Sequence, residues 1–174
     1  MNLDKLISFN SFVLTLILLF SCNTSNDIKI HGFTMGTTYE VTIRNFNDSS
    51  EKLKIEIDSL LSDINNIFST YIINSEISKI NKSKDIQIDI SDRFSYVLNK
   101  SLYYCELSNG GYDITVAPLV ELWGFGKNKK QVIPSEQSIL NTLKSIGFQN
   151  IYMKEKFLYK NIYDISIDLN SIAK

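Results

Sequence analysis

The stretch from Ser108 to Gly126, SNGGYDITVAPLVELWGFG, limits the fold more than any other part of the sequence. It holds four of the chain's seven glycines, one of its two prolines and its only tryptophan. The Gly110–Gly111 pair ends the helix before it, because glycine takes a left-handed helix cap at little cost. Pro118 suits the first position of a new helix, where a missing N–H goes unnoticed. The chain must therefore turn between two helices here, and it does so with the Asp113 carboxylate and the Thr115 hydroxyl inside the turn. Asp113 reads in two ways: as a cap for the helix beginning near Pro118, or as a polar handle beside backbone that glycine leaves open. Trp123 and Phe125 are expected to anchor the segment to the core.

Periodicity fills in the rest. Tyr39, Val41 and Ile43 alternate with Glu40, Thr42 and Arg44, as in a half-buried strand, and a turn at Gly32 is expected before it. Leu53, Ile57, Leu60, Leu61, Ile64, Ile67 and Phe68 recur at helical spacing after a possible cap at Ser50. A short helix capped by Asn74 or Ser75 follows, then a brief strand in IQIDI. A longer helix capped by Ser91 comes next, with Phe94, Val97, Leu98, Leu102 and Cys105 on one face. Beyond the central stretch come a helix from Ser135 to about Ser145 stopped by Gly147, two short strands, and a last strand with alternating Ile165, Ile167 and Leu169. The fold class is α+β, and 174 residues suit one domain with a core of its own.

The composition, 44% hydrophobic and 21% charged, is that of a globular chain, and a net charge of −1 lacks the basic footprint of a nucleic-acid binder. His31 is the only histidine, so no multi-histidine metal site can form. The N-terminus differs in kind. Phe12–Phe20 is an apolar run short for a membrane span, preceded by Lys5, which is the layout of a secretory signal. Leu19-Phe20-Ser21-Cys22 resembles a bacterial lipobox, which makes Cys22 the expected lipidation site. Residues 1–21 are then signal, 22–27 a tether, and 28–174 the folded portion. The expectation is an exported bacterial lipoprotein, held to a membrane through Cys22 and facing the periplasm or cell exterior. Cys105, the other cysteine, falls on the apolar stripe of its helix and reads as a buried, inert thiol.

Four blocks together resemble the ApbE family of bacterial FAD:protein FMN transferases: FTMGTTYEV, FSTYIINSEISKIN, NGGYDITVAPLVELWGFG and IDLNSIAK. They span Phe33 to Lys174 in the family's order. The resemblance implies an ApbE-like mixed sheet with packed helices, and an enzyme that moves FMN from FAD to a threonine hydroxyl of a target flavoprotein, with Mg²⁺ help and release of AMP. It implies that Met35, Tyr71, Gly111, Tyr112, Asp113, Asp168 and Lys174 contact FAD and that Ser171 offers an oxygen to Mg²⁺. Membrane electron-transport subunits are the client class it suggests.

No residue is singled out as catalytic base. The family pattern continues beyond the last block, so the chain is expected to be the N-terminal portion of such a domain, truncated at its C-terminus. A catalytically inactive relative, or a lipoprotein that holds flavin without transferring it, is the alternative.

Overall fold

The structure is a computed structural model describing residues 26–126 and 133–173. The chain divides into two compact units, up to Glu56 and from Ile57 onward. The first holds an antiparallel hairpin of β1, Ile28–Thr34, and β2, Thr37–Ile43. Tyr39, Val41 and Ile43 are half-buried between exposed neighbours, as the alternation predicts. The turn lies not at Gly32 but at Met35 and Gly36, whose φ angles of 52° and 77° make it the two-residue type that matches strand twist. Gly32 sits within β1 opposite Tyr39, and a Cβ there would lie 2.3 Å from the Tyr39 ring. A larger residue at that position would have to displace the Tyr39 ring.

Helix α1, Ser50–Phe68, begins in the first unit and ends in the second. Its cap is Ser49, one residue before the expected Ser50: the Ser49 hydroxyl accepts the Lys52 N–H at 3.2 Å. Helices α2, Glu76–Lys82, and α3, Asp92–Leu107, follow, capped by Ser75 and Ser91 as anticipated. Ser91 also donates through its N–H and hydroxyl to the Glu76 carboxylate, at 2.6 and 2.7 Å, which ties the starts of α2 and α3 together.

A three-stranded antiparallel sheet has the order β3 (Gln87–Asp89), β5 (Phe157–Lys160), β4 (Ile151–Lys154). Ile88 and Met153 both pair with Leu158. The core of the second unit joins Ile77 and Ile80 of α2, Phe94, Leu98 and Cys105 of α3, and Ile151 and Leu158 of the sheet. Phe68 stacks on Phe94 with ring centres 5.8 Å apart. Cys105 is fully buried, and burial raises its thiol pKa, as expected of an inert cysteine.

Two elements depart from expectation. Helix α5 is shorter, Glu136–Leu143, with the Ser135 cap in place. The segment 165–169 keeps its alternation, with Ile165, Ile167 and Leu169 buried, yet forms no β-ladder. Its backbone is paired by a side chain: the Asn81 amide accepts the Ile167 N–H and donates to the Ile167 carbonyl, both at 2.8 Å. No helix among the described residues is long and apolar enough to cross a membrane.

Candidate functional site

Helix α3 ends in a two-bond cap. Gly110 N–H reaches the Cys105 carbonyl and Asn109 N–H the Glu106 carbonyl, both at 2.9 Å. The left-handed residues are Asn109 and Gly110, with φ of 52° and 80°. Ser108 then closes the turn. Its carbonyl accepts Gly111 N–H at 3.1 Å and its hydroxyl accepts Tyr112 N–H at 2.9 Å. Both amides point inward, so this turn is not an anion-binding nest. The Tyr112 side chain that follows is half-buried against the core of the second unit.

Asp113 caps no helix. Helix α4, Ala117–Leu122, starts after Val116 without a side-chain cap, and Pro118 takes its second position, not its first. One Asp113 carboxylate oxygen, Oδ1, accepts the Thr115 N–H at 2.8 Å and the Thr115 hydroxyl at 2.6 Å. The other, Oδ2, accepts the Phe148 N–H at 3.1 Å. Thr115, fully buried, in turn accepts the Gly147 N–H at 2.7 Å. Between them lies Ile114, whose carbonyl accepts the Asp168 N–H at 2.8 Å. Asp168 Oδ1 accepts Asn170 N–H at 2.8 Å, opening the short 3₁₀ turn Asn170–Ala173. On that turn Ser171 Oγ donates to the Tyr112 hydroxyl at 3.4 Å.

The sequence-predicted residues Gly111, Tyr112, Asp113, Asp168 and Ser171 therefore converge through two direct links, Ile114–Asp168 and Tyr112–Ser171. Tyr71 lies at the turn between α1 and α2, with its side chain exposed, and Met35 tips the hairpin of the first unit. Lys174 and Cys22 lie outside the described residues. The anchoring expected of the two aromatics is not what the structure shows. Phe125 is 69% exposed and Trp123 is 37% exposed, and they follow a helix end capped by Gly124 (φ 76°). The sequence reading gave Thr115 no role. The spacing Asp-x-Thr was the available signal, because a carboxylate two residues before an N–H favours this self-bonded turn.

Magnesium was tested against the oxygens present. Mg²⁺ demands near-octahedral oxygen coordination, with water filling what protein leaves open. The second unit offers the Ser171 hydroxyl and the Asp168 carboxylate, and among the described residues no group of three or more His, Cys, Asp or Glu side chains is clustered to hold a metal. These residues do not by themselves form a magnesium site.

The fold resembles that of solved bacterial flavin transferases. It superposes on the structure "Flavin Transferase ApbE from Vibrio cholerae" with a TM-score of 0.80 at 30% identity, covering 83% of this chain and 48% of that one. The apo form of the Pseudomonas stutzeri flavinyl transferase ApbE matches with a TM-score of 0.80 at 25% identity, covering 88% of this chain and 50% of that one. The chain belongs to the ApbE family, whose model matches residues 35–174. A curated relative from Haemophilus influenzae, named FAD:protein FMN transferase, is 34% identical across 99% of this chain and 53% of its own length. One of the same name from Vibrio cholerae is 33% identical across 92% and 49%. The chain thus spans about half the length of the curated relatives it matches.

Proposed function

We propose that this chain carries a flavin-binding portion of an FAD:protein FMN transferase. The observation that carries the reading is the family match over residues 35–174, within which the segments around Tyr112, Asp168 and Ser171 meet. Met35, Tyr71, Gly111, Tyr112, Asp113, Asp168 and Lys174 are the proposed FAD contacts, Asp113 through its backbone, because both of its carboxylate oxygens are engaged inside the fold. Tyr112 supplies an aromatic face and a hydroxyl, and a flat apolar ligand such as flavin wants such walls with few polar groups.

The reaction proposed for the whole protein breaks the pyrophosphate bond of FAD. The phosphorus of its FMN half forms a new bond to a threonine hydroxyl of an acceptor flavoprotein, and AMP leaves. The hydroxyl proton passes to a base outside the residues assigned here. The magnesium that the family resemblance implies requires oxygen donors beyond Ser171 and Asp168, so no step is assigned to it. A membrane electron-transport subunit is the proposed acceptor class. The Leu19–Cys22 tetrad supports an exported lipoprotein, and Cys22→Ala is expected to abolish incorporation of labelled fatty acid into the protein. Labelling that survives in Cys22→Ala, or is absent from the wild type, would discard that anchor.

The second reading is a lipoprotein that holds FAD without transferring FMN. Both are tested by incubating the protein with FAD, Mg²⁺ and a threonine-bearing acceptor. A gain of one FMN in the acceptor's intact mass, with AMP in solution, supports the transferase. Tight FAD binding without either product supports the second reading, and no FAD binding sinks both.

A further inference from the structure

We propose that Thr115, acting with Asp113, is the positioning residue of the flavin site, and that the Asp113 carboxylate is an internal strut. The inference rests on the reading above that the segments around Tyr112, Asp168 and Ser171 form that site.

The hydrogen-bond directions are forced. Gly147 N–H can only donate, so the Thr115 hydroxyl accepts it, at 2.7 Å, and turns its own proton to Asp113 Oδ1, at 2.6 Å. The same oxygen takes the Thr115 N–H, and Oδ2 takes the Phe148 N–H at 3.1 Å. Both carboxylate oxygens are therefore engaged within the fold, with bonds to a charged acceptor that are stronger than neutral ones. The strut joins residues 113–115 to residues 147–148. What it fixes between its ends is the Ile114 carbonyl, the acceptor for Asp168 N–H, and just before it Tyr112, which meets Ser171. A fully buried hydroxyl at that junction sets the spacing of three proposed ligand-contacting segments while touching none of the ligand.

Thr115→Val keeps the branched shape and removes the hydroxyl, whereas Thr115→Ser keeps the hydroxyl. FAD affinity would be measured by flavin fluorescence titration on the full chain, with circular dichroism as the check of folding. Thr115→Val is expected to weaken FAD binding about tenfold, the scale of one lost charge-assisted hydrogen bond, and Thr115→Ser to restore it to within a few-fold. An additional readout needs no variant: exchange of the Gly147 and Phe148 amide protons in the wild type. They stay protected when FAD is added if the carboxylate is a strut, and lose protection if FAD recruits it.

Wild-type affinity in Thr115→Val, failure of serine to rescue, or loss of amide protection would each overturn the strut while leaving the flavin site standing. Absence of FAD uptake by the wild type overturns the flavin-site reading and the inference together. Should Thr115→Val not fold, the amide readout decides.

Discussion

Single residues break local rules here in two ways. Lys160 is buried to 1% exposure, and its ammonium donates to the Ile80 carbonyl at 2.6 Å and the Ser83 carbonyl at 3.3 Å. It closes the C-terminal end of α2, where unpaired carbonyls carry partial negative charge. Removing the charge relieves desolvation but strands two acceptors, and the second effect is expected to win. Lys160→Met should lower stability by about 1–3 kcal/mol in urea denaturation at neutral pH. Burial holds the folded-state pKa of Lys160 below its ordinary value. In the alkaline range beneath the usual lysine pKa, the unfolded chain therefore binds more protons than the folded one, and this group makes stability rise with pH. The wild type should gain on Lys160→Met across that range, and a gap that narrows instead would contradict the burial argument. Met35 breaks a second rule, which Asn45, Asn109 and Glu155 break as well, at φ of 53°, 52° and 56°. A side chain at φ 52° costs roughly 1–2 kcal/mol against glycine, and such strain at a surface turn points to use. Met35→Gly should increase amide protection across β1 and β2 while weakening FAD binding; unchanged FAD affinity would remove Met35 from the proposed contacts.

At the level of elements, the segment 165–169 shows where pattern reading stops. Its alternation of Ile165, Ile167 and Leu169 is that of a strand, and the burial follows it, but the backbone partner is the amide of Asn81, 86 residues away in sequence. Asn81→Ala should leave one N–H and one carbonyl of Ile167 without partners, at a cost of about 2–4 kcal/mol. Asn81→Asp keeps the acceptor but sets an anionic oxygen against the Ile167 carbonyl, so it should cost at least as much as alanine. A markedly smaller loss in Asn81→Asp would mean that the acceptor half carries the effect. Most of the helices were legible because they advertise themselves locally, with a serine cap before an apolar stripe, as at Ser75, Ser91 and Ser135; α4 has no such cap and was marked by Pro118. The hairpin was legible except for its turn, since Gly32 answers to the Tyr39 ring across the ladder, a contact that its own neighbours do not announce. Site residues at 111–113, 168 and 171 were legible only as motif positions. Their linkage runs through Ile114 and through the loop at Gly147, and neither pairing leaves a local mark in sequence.

At the scale of the whole molecule, the proposed flavin site joins Tyr112 to Asp168 and Ser171 and holds few hard oxygen donors for a cation among the described residues. That shortage separates two properties that the whole family reaction would join, cofactor uptake and metal-assisted transfer. Ligand that binds only folded protein stabilises it by RT ln(1 + [L]/Kd), about 2.7 kcal/mol at a hundredfold excess over Kd. For a chain of this size that corresponds to a rise of roughly 5–10 °C in the unfolding midpoint. FAD is expected to produce such a rise, followed by far-UV circular dichroism, in EDTA as fully as in magnesium. The reasoning is chemical: the proposed site holds one hydroxyl, of Ser171, and one carboxylate, of Asp168, and a six-coordinate ion would gain few ligands from the pair. If magnesium instead tightens FAD binding by tenfold or more, the pyrophosphate and the residues present complete the coordination between them. The separation of uptake from metal would then fail.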